Sequence, residues 1–257
     1  MLATDLARSG IVVGLTEIDI KDGAIQIPAE NWRPIREIIQ HPGWNIDKLI
    51  NDIALLKMKY TFEFTREIAP ICMPTRNLCL KEGHRLKISG WGETEDFEAL
   101  EPWEEANEIE MVDGEFIEKE HLRSAMVPIE KNNDCSYIYS DRKYLGQGQF
   151  SEEVLIDRSH ICAGGEKGVD ACGGDSGGPA TVVDKNGITT LVGLVSWGDF
   201  CGKENYPTVY TRVSAFMDWI NENSNVWSQI QDLTALKGAK EWFDDPYEFG
   251  SCMDTQY

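Results

Sequence analysis

The sequence predicts an all-β fold, and two observations support this prediction. Short apolar segments rich in β-branched residues recur along the 257-residue chain, and glycine, proline or polar clusters separate them. This pattern is typical of a sandwich or a barrel rather than of strands alternating with helices. The predicted strands are IVVGL at 11–15, IREII at 35–39, IALLKM at 53–58, AMVPI at 125–129, ATVV at 180–183, TTLVGLVSW at 189–197 and TVYTRV at 208–213.

Two segments depart from the strand pattern and are predicted to be surface loops. Residues 93–120 contain thirteen acidic residues and a single lysine, which indicates a long solvated loop. Residues 136–160 are rich in tyrosine and polar residues, with GQGQ near the centre, and indicate a second loop.

One helix is expected near the C-terminal end. Ser214 can cap a helix whose apolar face starts with Phe216, Trp219 and Ile220. The same periodicity extends through Val226, Ile230 and Leu233 until Gly238, and an acidic tail with Cys252 follows.

Composition narrows the possible functions. A net charge of −20 argues against a nucleic-acid partner, because phosphates would be repelled. There is no apolar run of about 18 residues, so no membrane-spanning helix is expected. Seven cysteines favour an oxidising, extracellular compartment, and their spacing does not match a zinc site. The segment MLATDLARSG does not have the pattern of a secretory signal.

The stretch GDSGGP at 174–179 is the clearest chemical motif. Glycines around Ser176 suit a tight turn in which the hydroxyl projects and the amides of Gly174 and Ser176 point at a developing oxyanion. The alternative is an ordinary glycine-rich turn that happens to contain serine. A chance match to all six residues at one place is on the order of one in ten thousand, which favours the functional interpretation.

Nine stretches in order give the chain a family resemblance. They are HPGWN at 41, NDIALLKM at 51, PICMP at 70, ISGWG at 88, VPI at 127, ICAGG at 161, DACGGDSGGP at 170, LVSWG at 194 and PTVYTRV at 207. Over roughly residues 9–222 the chain resembles the trypsin-like, chymotrypsin-fold serine proteases. The resemblance implies two six-stranded Greek-key β-barrels, the first without its N-terminal strands, and a C-terminal helix. Serine proteases of this kind need no cofactor.

The resemblance also implies roles for individual residues. Ser176 would be the nucleophile, and Asp52 the carboxylate that orients a catalytic histidine. Asp170, at the base of the primary specificity pocket, would select a substrate Arg or Lys. Ser196, Trp197 and Gly198 would bind substrate backbone and form one pocket wall. Thr208 replaces the usual glycine, and its side chain would narrow the pocket above Asp170.

The resemblance leaves the catalytic base unaccounted for. Only His41 precedes Asp52, and the HPxxN motif identifies it with a non-catalytic position of the family. His84, His121 and His160 lie in or beside loops of the second half, and Asp5 aligns where the base belongs. We therefore expect the 257-residue chain to be N-terminally incomplete and inactive as written.

Two structural consequences are expected from the same gap. The carboxylate of Asp175 would have no N-terminal amine as its partner, which would leave a buried charge unpaired. The first barrel would have exposed strand edges.

For the cysteines, the resemblance implies disulfides Cys135–Cys162 and Cys172–Cys201, the second bracing the specificity pocket. Cys79 lacks its usual partner, because Ser214 stands there, so Cys252 is the candidate. Cys72 matches a cysteine that many relatives bridge to a segment outside the protease domain. Free thiols at Cys72 and Cys79 remain an alternative.

The resulting prediction has two units. Residues 1–222 form the protease domain, divided into a first-barrel remnant at 1–63, a linker at 64–83 and the second barrel with its helix at 84–222. Residues 223–257 form an acidic extension.

The predicted function is that of a secreted serine endopeptidase acting on protein or peptide substrates, with serine protease inhibitors as further partners. The alternative is a non-catalytic homologue that serves as a binding or clip-like regulatory module.

Overall fold

The computed structural model confirms the all-β prediction. It describes residues 9–21, 24–93, 108–112, 115–140 and 156–224, and between 108 and 119 it describes the backbone alone. Its strands form a closed barrel and two smaller sheets. Each of the seven strands predicted from the sequence is present.

A three-stranded antiparallel sheet forms the first part of the chain. It is made of β1 (Gly10–Val12), β4 (Trp32–Gln40) and β5 (Ala54–Met58), in the order β1-β4-β5. The order places the long strand β4 in the centre, where β-branched Ile38 and Ile39 face Leu56 and Leu55. This sheet stays open, so the first barrel is only partly formed within the described residues.

A four-stranded sheet joins two segments that are distant in sequence. It contains β2 (Glu17–Lys21), β3 (Ala24–Gln26), β7 (Glu108–Val112) and β8 (Glu115–His121), in the order β3-β2-β8-β7. The predicted solvated loop at 93–120 is therefore wrong for residues 108–112 and 115–120, and residues 94–107 lie outside the description. Acidic and apolar residues alternate in EIEM, and Asp113-Gly114 separates the two strands, so a hairpin signal was present beneath the acidic composition.

The second barrel is closed and contains the main core. Its strands are β6 (Arg85–Gly90), β9 (Arg123–Glu130), β10 (His160–Gly164), β11 (Pro179–Val183), β12 (Thr189–Trp197) and β13 (Pro207–Arg212), in the order β10-β13-β12-β11-β6-β9. Alternate residues point inward, and Leu86, Val127, Ile161 and Tyr210 are completely buried. Val182 packs into the same core, which is filled with apolar side chains.

Two short helices complete the described part. Helix α1 (Asn132–Tyr139) extends into the region predicted as a second surface loop, so that prediction is wrong for residues 136–139, and residues 141–155 lie outside the description. Helix α2 (Met217–Ser224) follows a 3₁₀ turn at Val213–Phe216. Ser214 lies inside this turn, whose N-cap is Arg212, so the prediction that Ser214 caps a helix is wrong. The predicted continuation through 226–238 lies outside the described residues.

The open sheet is attached to the barrel by an apolar cluster around α2. Ile53, Val213, Phe216 and Ile220 are buried together, and Leu55 from β5 packs against them. The ring of His41 contacts Phe216 and Trp219, with ring centroids 5.3 Å and 5.0 Å apart. This cluster fixes the position of Asp52, which directly precedes Ile53.

Disulfides close two loops of the second barrel. Cys135 on α1 is bonded to Cys162 on β10, and Cys172 is bonded to Cys201. Cys79 is also disulfide-bonded, and its candidate partner Cys252 lies outside the described residues. The thiol of Cys72 is free and half-buried.

Candidate active site

The motif around Ser176 forms a tight turn attached to β12. The amide of Gly177 donates to the carbonyl of Val195 over 2.8 Å, and the amide of Val195 donates to Gly178 over 2.9 Å. Gly174 and Gly177 have φ values of +92° and +80°, which residues with side chains rarely adopt. The turn therefore requires glycine on both sides and leaves Ser176 exposed.

Two backbone amides of this turn make no hydrogen bond. The N–H groups of Gly174 and Ser176 have no acceptor among the described residues. Amides in this condition are available to a ligand oxygen, and a developing oxyanion is the strongest acceptor that a protease substrate offers. The arrangement suits the oxyanion role that the resemblance implies.

The carboxylate of Asp175 anchors the turn from below. It accepts hydrogen bonds from the amide of Gly92 at 2.8 Å and from the amide of Cys172 at 2.9 Å. Among the described residues no cation pairs with this carboxylate, as expected, but the two amides replace water around it and stabilise its charge. Side chains at Gly90 or Gly92 would overlap this carboxylate, so the GWG stretch needs both glycines.

Asp52 is held by two hydroxyl groups of the second barrel. Ser196 Oγ donates to Asp52 Oδ2 over 2.7 Å, and Thr211 Oγ1 donates to the Asp52 carbonyl over 2.8 Å. The loop before Asp52 contains Leu49 and Asn51 with φ values of 53° and 57°, a strained conformation that these contacts help maintain. The carboxylate thus has one fixed oxygen and a defined orientation.

A β-bulge explains why Ser196 reaches Asp52. In the pairing of β12 with β13, Val195 faces Tyr210 and Trp197 faces Val209, so Ser196 is the extra residue. A bulge of this kind redirects the side chain of the inserted residue. The ring of Trp197 packs against Tyr139 of α1 at 4.9 Å, which fixes the wall on which the bulge lies.

All four histidines of the chain are among the described residues, and none contacts Asp52 or Ser176. Asp52 is hydrogen-bonded to Ser196 through its carboxylate, and the Ser176 hydroxyl makes no hydrogen bond to a described residue. The ring of His41 accepts from the amide of Gly43 at 3.1 Å, and burial lowers its pKa. The described residues therefore contain no imidazole that could act on Ser176.

The remaining three histidines have other partners. His84 accepts a hydrogen bond from the amide of Lys81, and His121 lies 3.5 Å from Glu17. His160 is buried at the start of β10, where Nε2 lies 3.2 Å from the carbonyl of Leu49 and Nδ1 lies 3.2 Å from the amide of Asp157. His160 is a core residue that joins the barrel to the loop before Asp52, a role that sequence reasoning missed.

Asp170 lies at the base of a cavity beside the turn. It lines a volume of 850 Å³ together with Asp175, Val195, Phe200 and the Cys172–Cys201 disulfide. Burial raises the pKa of Asp170 to about 6, although hydrogen bonds from Thr208 and from the Ala171 and Gly202 amides act in the opposite direction. A buried carboxylate in a cavity is a recognition group for cations.

Thr208 is hydrogen-bonded to Asp170 and is not among the residues that line this cavity. Its hydroxyl donates to Asp170 Oδ1 over 2.7 Å, and the amide of Ala171 donates to the same oxygen over 2.9 Å. Thr208 Oγ1 also lies 3.3 Å from the position that a Cβ on Gly198 would occupy. Glycine at position 198 therefore leaves room for the threonine hydroxyl between β12 and β13.

The closed barrel, the GDSGGP turn and the acidic pocket define the scaffold of a trypsin-like serine protease. The Trypsin family model matches residues 10–220. The chain therefore belongs to the trypsin family. No helix among the described residues has the length and apolarity needed to cross a membrane.

Curated relatives are similar to this chain over most of its length. Phenoloxidase-activating factor 1 of Holotrichia diomphalia is 34% identical over 191 residues, which cover 74% of this chain and 44% of that protein. Serine protease ea of Drosophila melanogaster is 31% identical over 236 residues, covering 85% of this chain and 53% of that protein.

Protein masquerade of Drosophila melanogaster is 33% identical over 222 residues, covering 85% of this chain and 18% of that protein. The chain thus spans about half the length, or less, of these relatives.

Proposed function

We propose that this chain carries the nucleophile, oxyanion donors, orienting carboxylate and specificity pocket of a serine endopeptidase. The observation that carries the proposal is the Ser176 turn, in which an exposed hydroxyl lies between two amides that have no other acceptor. Asp52, fixed by Ser196, supports it, because a triad carboxylate must hold one orientation. The proposal treats residues 1–222 as the protease domain and 223–257 as an acidic extension.

The mechanism requires a general base that the four histidines do not provide. We propose that an imidazole from outside these 257 residues completes the site. It would take the proton of Ser176 as Oγ attacks the scissile carbonyl carbon, and Asp52 would stabilise the imidazolium. The amides of Gly174 and Ser176 would bind the oxyanion of the tetrahedral intermediate.

Collapse of that intermediate breaks the C–N bond, and the imidazolium gives its proton to the leaving amine. The same base then activates a water molecule that hydrolyses the acyl-enzyme and regenerates Ser176.

Asp170 supplies the proposed preference for a basic side chain before the scissile bond. Its carboxylate lines the 850 Å³ cavity together with those of Glu93, Asp175 and Glu204, and it precedes Ser176 by six residues. A substrate cation that enters the cavity gains a charge-assisted hydrogen bond in a region of low dielectric constant. Ser196, Trp197 and Gly198 would bind the substrate backbone along the edge of β12.

The test compares the 257-residue chain with a longer product, made by joining an upstream segment that contains a histidine to this chain. The substrate is a peptide amide that ends in lysine or arginine. The longer product with its upstream segment should hydrolyse the amide, and Ser176→Ala should reduce kcat by about 10⁶-fold. The 257-residue chain alone should show at most the small residual rate of a site without its base.

Ser140→Ala is the matched control, because among the described residues that hydroxyl bonds to the carbonyl of Tyr137 alone, at the exposed end of α1. The proposal fails if Ser176→Ala cleaves as fast as the wild-type longer product.

A second candidate function is a non-catalytic homologue that binds a partner protein through the same cleft. The observation that favours it is the absence of any histidine contact to Asp52 or Ser176 within the described residues. A fluorophosphonate probe separates the two candidates, because it reacts only with an activated serine. Labelling of Ser176 in the longer product supports the enzyme, whereas an unlabelled but folded product supports the binding module.

The proposed setting is extracellular, and the disulfides of the second barrel support it. Protein substrates and serine protease inhibitors are the proposed partners.

A further inference from the structure

The segment from Leu49 to Asp52 has a backbone conformation that needs support from its surroundings. Leu49 and Asn51 have φ values of 53° and 57°, in the left-handed region that non-glycine residues rarely adopt. Conformations of this kind persist only where neighbouring groups hold them. Because Asp52 ends this segment, the groups that hold it also decide where the Asp52 carboxylate lies.

His160 supports the first residue of this segment. Its Nε2 atom lies 3.2 Å from the carbonyl oxygen of Leu49, although the two residues are 111 positions apart. A carbonyl oxygen can only accept a hydrogen bond, so Nε2 carries a hydrogen and donates it. His160 is 2% exposed, so bulk water does not compete for this contact.

The ring of His160 is fixed from its other side. Nδ1 lies 3.2 Å from the amide nitrogen and 3.2 Å from Oδ1 of Asp157. The neutral ring accepts from the amide, and the imidazolium donates to the carboxylate, so Nε2 keeps its hydrogen in both states. The carbonyl of His160 also accepts from Asn132 Nδ2 and from Arg212 Nε, each over 3.2 Å. The side chain is therefore a rigidly held donor.

Thr211 holds the other end of the segment and is paired with His160. The two residues are opposite each other in the pairing of β10 with β13, and each is 2% exposed. Opposite residues on paired strands lie on the same face of the sheet. Thr211 Oγ1 donates to the Asp52 carbonyl over 2.8 Å, so one cross-strand pair bonds to both Leu49 and Asp52. Two attachment points prevent the segment from pivoting about either one.

We propose that His160 is a positioning residue for Asp52, and that it acts through the Leu49 carbonyl. Ser196 fixes one carboxylate oxygen, whereas His160 and Thr211 fix the backbone from which the Asp52 side chain extends. The role in catalysis rests on the proposed function, since the direction of the carboxylate matters only to an imidazole that it orients. The role in holding the segment does not depend on catalysis.

Amide hydrogen exchange in the 257-residue chain tests the support of the segment. The amide of Ile53 donates to the Asn51 carbonyl over 2.9 Å, so its exchange reports local opening of this segment. The hydrogen-bonded amide of Val195 in β12 is the reference for the barrel. His160→Met keeps an apolar side chain of similar length but removes the donor, and should accelerate exchange at Ile53 about tenfold relative to Val195.

Two further variants separate the hydrogen bond from other effects of the substitution. In His160→Gln the side-chain amide nitrogen can donate as Nε2 does, so exchange at Ile53 should stay close to the wild-type rate. His84→Met is the matched control, because His84 lies at the turn before β6, where its ring accepts from the Lys81 amide. That variant should leave exchange at Ile53 unchanged.

The position of the hydrogen on the His160 ring is a test that needs no substitution. Imidazole nitrogen shifts of the wild-type chain, measured by NMR, should show a hydrogen on Nε2 from about pH 5 to 9. A neutral ring with its hydrogen on Nδ1 would overturn the proposal, because Nε2 could then not donate to Leu49.

Kinetics of the longer product test the role in catalysis. His160→Met should lower kcat about tenfold and leave KM nearly unchanged, because the segment does not carry the residues proposed to bind substrate. His160→Gln should restore kcat to near the wild-type value. A merely structural role predicts less folded protein, with the wild-type kcat for each folded molecule.

Three results would overturn the proposal: equal acceleration of exchange at Ile53 and Val195 in His160→Met, a wild-type kcat in that variant, or a His160→Gln variant that behaves as His160→Met does. If the exchange results are as expected but the wild-type longer product cleaves nothing, the protease proposal fails and the support of the Asp52 segment by His160 stands. If the longer product cleaves but His160→Met leaves exchange at Ile53 unchanged, the protease proposal stands and the role given to His160 fails.

Discussion

The hydroxyl of Ser196 donates a hydrogen bond to Asp52 Oδ2 over 2.7 Å, and so joins residues that are 144 positions apart. Ser196 is the bulged residue of β12, and Asp52 precedes β5 of the open sheet. The contact therefore depends on the packing of one part of the fold against the other, and it fixes the carboxylate for whatever imidazole reaches it.

The Ser196–Asp52 contact predicts a measurable coupling. Ser196→Ala should lower the free energy of unfolding by about 1.5 kcal/mol, because a half-buried carboxylate loses a charge-assisted hydrogen bond. In a double-mutant cycle with Asp52→Ala, urea unfolding should give a coupling energy of about 1 kcal/mol. Purely additive effects of the two substitutions would show that the hydrogen bond contributes nothing to stability.

The contact between Gly92 and Asp175 predicts that a single added methyl group at position 92 lowers the free energy of unfolding strongly. Gly92→Ala places a methyl group where the Asp175 carboxylate lies, so we expect a loss of about 3 kcal/mol in urea unfolding. Gly83→Ala is the matched control: its φ is +77°, but nothing lies within 4 Å of its Cβ position, so it should cost only about 1 kcal/mol.

A second substitution tests whether overlap with the Asp175 carboxylate is the reason that Gly92→Ala is destabilising. Asp175→Ala removes the carboxylate that the new methyl group meets, so Gly92→Ala should cost less in that background than in the wild type. If the cost is the same in both backgrounds, the close approach is not the reason for the glycine.

The raised pKa of Asp170 predicts how stability depends on pH. Burial raises this pKa from 3.8 to about 6, so the folded state binds more protons than the unfolded state between these values. Stability should therefore fall as pH rises from about 4 to 6, and the full cost of about 3 kcal/mol persists at higher pH.

Urea unfolding of the wild type and Asp170→Asn, at several values between pH 4 and 7, isolates this contribution. The difference between the two free-energy curves should change by about 3 kcal/mol over the window, in favour of the variant at the higher pH. If the two curves of unfolding free energy against pH run parallel, the charged form of Asp170 does not destabilise the folded state.

The sequence predicted strands best where apolar residues form uninterrupted runs. TTLVGLVSW corresponds to β12 at 189–197 without any difference in its limits. The sequence pattern did not predict β7 and β8, because the thirteen acidic residues between 93 and 120 obscured the alternation of apolar and polar residues that indicates a hairpin. It also missed β2 and β3, where EIDIK and AIQ flank an Asp-Gly pair that is the same hairpin signal.

At the candidate site, the sequence motifs predicted the site residues themselves but not the residues that hydrogen-bond to them and fix their positions. Thr211, which supports the Asp52 carbonyl, lies in the middle of β13 and has no motif of its own. Thr208 was expected to act through its size, whereas the structure gives it a hydrogen bond to Asp170. Contacts of this kind depend on strand register across long sequence distances, which no local pattern contains.

The two disulfides of the second barrel predict an effect on binding that is separate from stability. Cys135–Cys162 and Cys172–Cys201 have sequence separations of 27 and 29 residues, so the chain-entropy argument gives them similar contributions of about 3 kcal/mol. Only Cys172 and Cys201 line the cavity that contains Asp170. Because the two closed loops are of similar length, replacement of either cysteine pair by alanine should lower the free energy of unfolding in urea to a similar degree.

Binding of n-butylammonium, a small cation with the same head group as a lysine side chain, should distinguish the two variants under conditions in which both remain folded. Loss of Cys172–Cys201 frees the wall that carries Gly202, whose amide lowers the pKa of Asp170, so we expect at least a tenfold loss of affinity. The variant without Cys135–Cys162 should bind as the wild type does, because that bond lies between α1 and β10. Equal losses in both variants would mean that the pocket responds to overall stability and not to its own disulfide.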